Sequence, residues 1–306
     1  MAFYQSDAPK SMIVTYSHIR SFFICLVVIT TSLQLMLGAI PLSLGQQIII
    51  LAILIMLLGM PHGALDHKVA QKAGLYNSNM GFIGFFAIYL GLAAGAFGLW
   101  LVAPALSLIA FLLISAWHFG SDFKSVAPYP SLYPVVAGTA LLSAPALLHQ
   151  ETIAMVFGYL CPPEHADIIA ATMHVIAFAV VPLSLVVGLI RTGSVHTFIE
   201  FIFVLIAGIV LPPLVFLTLF FCFSHSPKHL LELYQDLGYK NAGDFIKDLA
   251  PLTLLSILFL AGVYMIFKDM LVYETLFKSA IILLAVVTIP HMLLIDFQSK
   301  PFRHDR

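Results

Sequence analysis

The chain has 306 residues, of which 61% are hydrophobic and only 9% charged, with a mean hydropathy of +1.02. A soluble domain carries about 25% charged residues, so this is read as an integral membrane protein and not a soluble enzyme. A formal net charge of −1 argues against nucleic acid as a partner, and three widely spaced cysteines (Cys25, Cys161 and Cys222) form neither a disulfide framework nor a zinc ribbon.

In chain order, residues 1–18 form a short polar N-terminal segment that the charge pattern places in the cytoplasm. Lys10 and Arg20 precede an apolar run in the manner of a signal peptide. No clear small-residue cleavage site follows, and the run is read as a retained first span. Apolar runs then cover about 19–39, 46–65, 82–102, 104–120, 132–149, 167–190, 196–211, 213–230, 250–267 and 275–295. The expected architecture is an all-α polytopic transmembrane bundle of about ten spans, with residues 19–296 as one domain and 297–306 as a basic cytoplasmic tail. The mixed-charge stretch 232–248 reads as a surface helix with Leu233, Leu237, Phe245 and Leu249 on its apolar side. With the N-terminus inside, twelve Lys and Arg side chains fall on the inner side and two, Lys268 and Lys278, on the outer side. That bias puts both termini in the cytoplasm.

The stretch Phe221-Cys222-Phe223-Ser224-His225-Ser226-Pro227-Lys228-His229 is the one around which the chain is organised. Two histidines four positions apart can point the same way. Pro227 lacks an N–H and would clash with the carbonyl of Phe223, so a broken helix is expected, with Ser226 as N-cap and Pro227 opening a new turn. Two kinds of role suit the pair: metal ligands, or interfacial histidines facing water where a span ends. Depth adds to the first. His62, His118, His225 and His291 all fall at the C-terminal ends of even-numbered spans, towards the cytoplasmic side, and His229 lies one turn past His225. A bundle can bring five such histidines together. His18, His149, His165, His174, His196 and His304 lie elsewhere and are read as solvated or hydrogen-bonded.

An all-nitrogen donor set suits iron, zinc or copper and excludes magnesium and calcium. Carboxylates and hydroxyls beside the histidines are candidates for orienting them: Asp66 for His62, Asp122 for His118 and Ser224 for His225. His67 lies five residues after His62 and points about 140° away on a helix, which leaves its role open, as is that of His291. Trp117, Phe119, Phe221 and Phe223 flank the histidines and would wall the site for a planar, water-insoluble substrate, although ordinary packing needs aromatics too.

The motifs Pro61-His62-Gly63-Ala64-Leu65-Asp66-His67, Trp117-His118-Phe119-Gly120-Ser121-Asp122, Phe221 to His229 and Pro290-His291 resemble the Brp/Blh family of membrane-bound β-carotene 15,15′-dioxygenases. The resemblance spans residues 60 to 292, and its first motif is the most specific. It implies a non-haem Fe(2+) bound by His62, His118, His225 and His229, with His67 and His291 at recurring positions. It also implies O2-dependent cleavage of β-carotene into two retinals in the cell membrane, and a functional link to a retinal-binding rhodopsin. The competing classes are another membrane-embedded histidine–metal enzyme, a zinc hydrolase or lipid hydroxylase, and a non-enzymatic transporter. H-x-x-H-H clusters and H-E-x-x-H, which the first two would show, are absent from the sequence.

Overall fold

A computed structural model describes residues 10–38, 40–123, 132–191, 194–267 and 271–299. Among these residues there are no strands, and helices follow one another from Lys10 to Ser299 wherever the chain is described. In order they are α1 (Lys10–Leu37), α2 (Leu44–Leu54), α3 (Asp66–Lys72), α4 (Asn79–Val102), α5 (Pro104–Gly120), α6 (Tyr133–Ser143) and α7 (Ala146–Gly158). Then come α8 (Pro163–Arg191), α9 (Val195–Val210), α10 (Pro213–Phe220), α11 (Ser226–Asp236), α12 (Ala242–Ile266) and α13 (Val272–Ser299). Local chemistry sets many of the boundaries. Ser43 and Gln46 form a reciprocal capping box at α2, and the side chains of Ser78 and Asn241 accept from the first turns of α4 and α12. Pro104 and Pro213 open α5 and α10, where a missing N–H costs nothing.

Each of the ten apolar runs becomes helical, but they are not ten equal crossings. Among the described residues, seven helices are long and apolar enough to cross a membrane, and the pair α6–α7, bent by 72°, makes an eighth if it is one span. The segments Leu44–Gly59 and Val195–Val210 are apolar but shorter. The stretch 232–248 is not a surface helix. α11 ends at Asp236, Gly238 takes a left-handed φ of 74°, and α12 begins at Ala242. Its apolar residues do share one small core: Leu233, Phe245 and Leu249 pack with Leu65, Val69 and Tyr76 around α3. Lys68 of α3 fastens the same corner by donating to Asp248 and to the Tyr239 hydroxyl (3.0 Å). Burial works against its charge, but these two partners outweigh it and hold the ammonium above the usual lysine range.

Two spans sit at the centre. The span Pro213–Asp236 has 61% of its most apolar window buried and α13 has 67%, against 6% for α4 and 11% for α12, which show apolar side chains outward. The proline-bearing motif at Pro227 is accommodated without a break. Residues Phe221–His225 form a π-turn between α10 and α11, so the Ser226 N–H reaches back five residues to the Phe221 carbonyl. The extra residue relieves the clash that Pro227 would cause in an α-helix and places it in the first turn of α11, whose N-cap is His225, not Ser226. The same device precedes Pro61: Ile55–Gly59 is a second π-turn, followed by a 3-10 turn over Met60–Gly63.

The two π-turns pack on each other. Gly59 faces the Phe221 ring so closely that a Cβ there would stand 2.4 Å from Cε1, and the Ser226 hydroxyl donates to the Leu58 carbonyl. Elsewhere α5 and α6 cross at glycines. A Cβ on Gly120 would stand 1.7 Å from the Pro134 carbonyl oxygen, and one on Gly138 the same distance from that of Ala116. Backbones approach this closely only where both residues lack side chains.

Candidate metal centre

Four imidazoles meet in the buried centre of the bundle. His118 comes from the last turn of α5, His225 from the end of the Phe221–His225 π-turn, His229 from α11 and His291 from α13, and all are buried. The ring centroids of His118 and His225 lie 4.7 Å apart, those of His118 and His291 5.7 Å, and those of His229 and His291 5.4 Å. His225 and His229, one turn apart, are parallel within 3° at 6.4 Å. His62 lies on the 3-10 turn beside them, but its side chain is outside the described residues.

Carboxylates stand behind three of the rings. His225 Nδ1–H donates to Asp122 Oδ2 (2.8 Å), and His291 Nδ1–H donates to Asp66 (2.9 and 3.0 Å to its two oxygens). Tyr89 of α4 donates to Asp66 Oδ2 (2.8 Å). Behind His229, Glu232 Oε2 lies 3.8 Å from Nδ1, and the other Glu232 oxygen accepts from Tyr16 of α1. A carboxylate that holds the Nδ1 proton leaves Nε2 with its lone pair, turned away from the carboxylate. His118 Nε2 and His225 Nε2 face each other at 3.1 Å. That is about the separation of adjacent ligands on one ion with metal–nitrogen distances of about 2.1 Å.

Among the described residues, no group of three or more His, Cys, Asp or Glu side chains is drawn close enough to hold a metal ion as it stands. The fit is one of donor chemistry. Imidazoles whose outer nitrogens are tied to carboxylates, as in His225 and His291, are the arrangement that metal-binding histidines use. Buried imidazoles inside a membrane protein are otherwise costly.

Several expected pairings differ. Asp66 is engaged by His291 and Tyr89, because α13 and α4 pack directly over it; Asp122 serves His225 and not His118. Ser224 donates to Glu200 Oε1 (2.9 Å), since the π-turn rotates it away from the ring of His225. Phe119 and Phe221 do wall the imidazoles, with centroids 4.9 and 5.7 Å from that of His225 and Phe221 stacked on it within 17°. Trp117 is 42% exposed on the outer face of α5, and Phe223 points to Phe22 of α1 at 6.3 Å. His67 stands apart from the cluster, against Phe82 and Phe86 of α4, where burial holds its imidazole below the ordinary histidine range. His149 and His174 meet the carbonyls of Val210 and Ala146.

Four participants escaped the sequence reading: Tyr16, Tyr89, Glu200 and Glu232. Glu200 carried a signal, as the only acidic residue in the apolar run 196–211. Glu232 lies one turn beyond His229, a spacing that marks helix neighbours. Tyr16 and Tyr89 carried none that distinguishes them from ordinary span tyrosines.

Residues 53–298 match the model of the family described as Beta-carotene 15,15'-dioxygenase. The chain is 28% identical over 257 residues to "Beta-carotene 15,15'-dioxygenase" of the uncultured marine bacterium 66A03, covering 81% of this chain and 92% of that protein. It is 23% identical over 285 residues to "Probable beta-carotene 15,15'-dioxygenase Blh" of Halobacterium salinarum, covering 79% of this chain and 81% of that one. No solved structure matches it.

Proposed function

Since the chain belongs to the beta-carotene 15,15'-dioxygenase family, we propose that it cleaves β-carotene at the central 15,15′ double bond with O2, using a histidine-held non-haem Fe(2+). The C=C and O–O bonds break, and each half takes one oxygen as an aldehyde, giving two molecules of all-trans-retinal. His62, His118, His225 and His229 are the proposed ligands. His291 faces the same centre and is a fifth imidazole available to it. Iron bound there would supply the binding and activation of O2.

The observation that carries this reading is the His118–His225 pair, whose Nε2 atoms face at 3.1 Å while Asp122 holds the far nitrogen of His225. The chain's own residues do the rest. Asp122 and Asp66 fix the tautomer and ring orientation of His225 and His291. Phe119 and Phe221 give the centre flat apolar walls that keep water out and suit a polyene. β-Carotene has no polar end, so it would enter sideways from the lipid, and the protein's task is to hold one double bond at the centre. With all ten apolar runs taken as crossings, the basic residues divide twelve to two, which favours an orientation with both termini in the cytoplasm.

Expression in cells that accumulate β-carotene tests the reaction. Loss of colour with retinal appearing in equal measure is expected. Stable colour in cells that make the folded, iron-loaded protein would overturn it.

A further inference from the structure

Glu200 lies in α9, outside the imidazole cluster, and is 4% exposed. Its Oε1 accepts from the Ser224 hydroxyl (2.9 Å) and from the Lys228 ammonium, whose side chain is also largely buried. Ser224 and Lys228 are four residues apart and each immediately precedes an imidazole of the cluster, His225 and His229. Along this segment residues four apart share one face, so the pair gripped by Glu200 and the pair presented to the centre lie on adjoining faces of one helix. The grip spans the junction where the π-turn gives way to α11, the point at which an extra residue leaves the rotation of the helix least determined by its own ladder. A buried carboxylate in an apolar segment is costly without such partners. Tyr16, by contrast, meets α11 at Glu232, beyond the π-turn junction.

We propose that Glu200 is a positioning residue: by clamping Ser224 and Lys228 it sets the rotation of the π-turn and so aims His225 and His229 at a common centre. The metal part of this inference rests on the iron reading above; the rotation part does not.

The test uses the full chain in detergent, with Cys25 and Cys161 changed to Ser so that Cys222, fully buried on the π-turn, is the one thiol. In the metal-free protein Glu200→Ala should make Cys222 at least about tenfold more reactive to an apolar maleimide, while Glu200→Gln, which keeps an acceptor for Ser224, stays closer to wild type. Titrated with Co(II) and followed by its visible absorption, Glu200→Ala should bind about 10–100-fold more weakly, as changes behind a ligand typically do. Excess Fe(II) should then recover activity with an unchanged KM for β-carotene. A folded Glu200→Ala chain with wild-type Cys222 protection and wild-type cobalt affinity would overturn the proposal, whatever its melting temperature. A wild-type chain that binds neither metal would sink the iron reading instead, and the Cys222 rates would still decide whether Glu200 sets the rotation.

Discussion

Asp122 and Asp66 each hold the outer nitrogen of an imidazole, and small changes to them should separate orientation from ligation. Asp122→Asn keeps the shape and an acceptor oxygen but loses the charge opposite His225. Metal affinity or activity should fall about 10–100-fold, with partial recovery on added Fe(II), because the imidazoles themselves are intact. Asp66→Asn should behave in the same way through His291, and Tyr89→Phe, which removes one donor to Asp66, should have a smaller effect of the same sign. Iron titration of the purified variants checks all three. Total loss that iron cannot restore would make either carboxylate a direct ligand. His225→Ala and His118→Ala should abolish metal binding without preventing insertion. His165→Ala, on an exposed turn beside Glu164, should leave activity unchanged. At this scale the convergence of His118, His225, His229 and His291 was legible, because each stands at or just past the end of an apolar run. The pairing of carboxylate to imidazole was not: Asp66 and Asp122 are neighbours in sequence to His62 and His118 yet serve His291 and His225, which only the packing of α13 and the π-turn decides.

The two π-turns are the elements on which the centre depends. Sequence alone showed that Pro227 is incompatible with a straight α-helix, but not whether the chain would break or widen there. Widening is favoured because a break would leave backbone groups without partners in an apolar setting, whereas the π-turn pairs the Ser226 N–H with the Phe221 carbonyl and turns the Ser226 hydroxyl to the Leu58 carbonyl. Deleting Cys222 would remove the extra residue while Pro227 still follows Phe223 by four, so the proline clash would return and the helix would break there, carrying His225 and His229 off the centre. Such a variant should insert but hold no metal. Gly59→Leu should force the two π-turns apart against Phe221, and Gly120→Ala should collide with the Pro134 backbone beside His118. Overpacking of this kind costs about 1–3 kcal/mol or more, and little at Gly120 can yield because the obstacle is a carbonyl. Thermal unfolding of the detergent-solubilised variants should show both losses, while Gly95→Ala, which meets nothing within 4 Å, should be neutral.

At the scale of the molecule, the apolar runs located the long helices but missed the short polar α3, Asp66–Lys72, and could not tell a full crossing from a short or bent one. The fifth run folds back by 72° after Ser143, and the second and seventh are short; hydropathy averages over such differences. With all ten runs as crossings, charge places both termini on the inner side. Reporter fusions at residue 306 and in the loop between α7 and α8 should report opposite compartments, and the same compartment for both would contradict two cytoplasmic termini. α11 and α13 are enclosed by helices that show apolar side chains outward, so the imidazoles lie inside a shell of apolar surface. The central claim is that this centre binds iron and cleaves β-carotene symmetrically. It is tested most directly by a single-turnover reaction of the purified, iron-loaded chain with β-carotene in 18O2, read by mass spectrometry with the products trapped before water exchange. Retinal is expected as the sole product, two per β-carotene consumed, each carrying one labelled oxygen, and none from the His225→Ala protein. Shorter or longer apocarotenals, or retinal formed equally well by the metal-free chain, would contradict it.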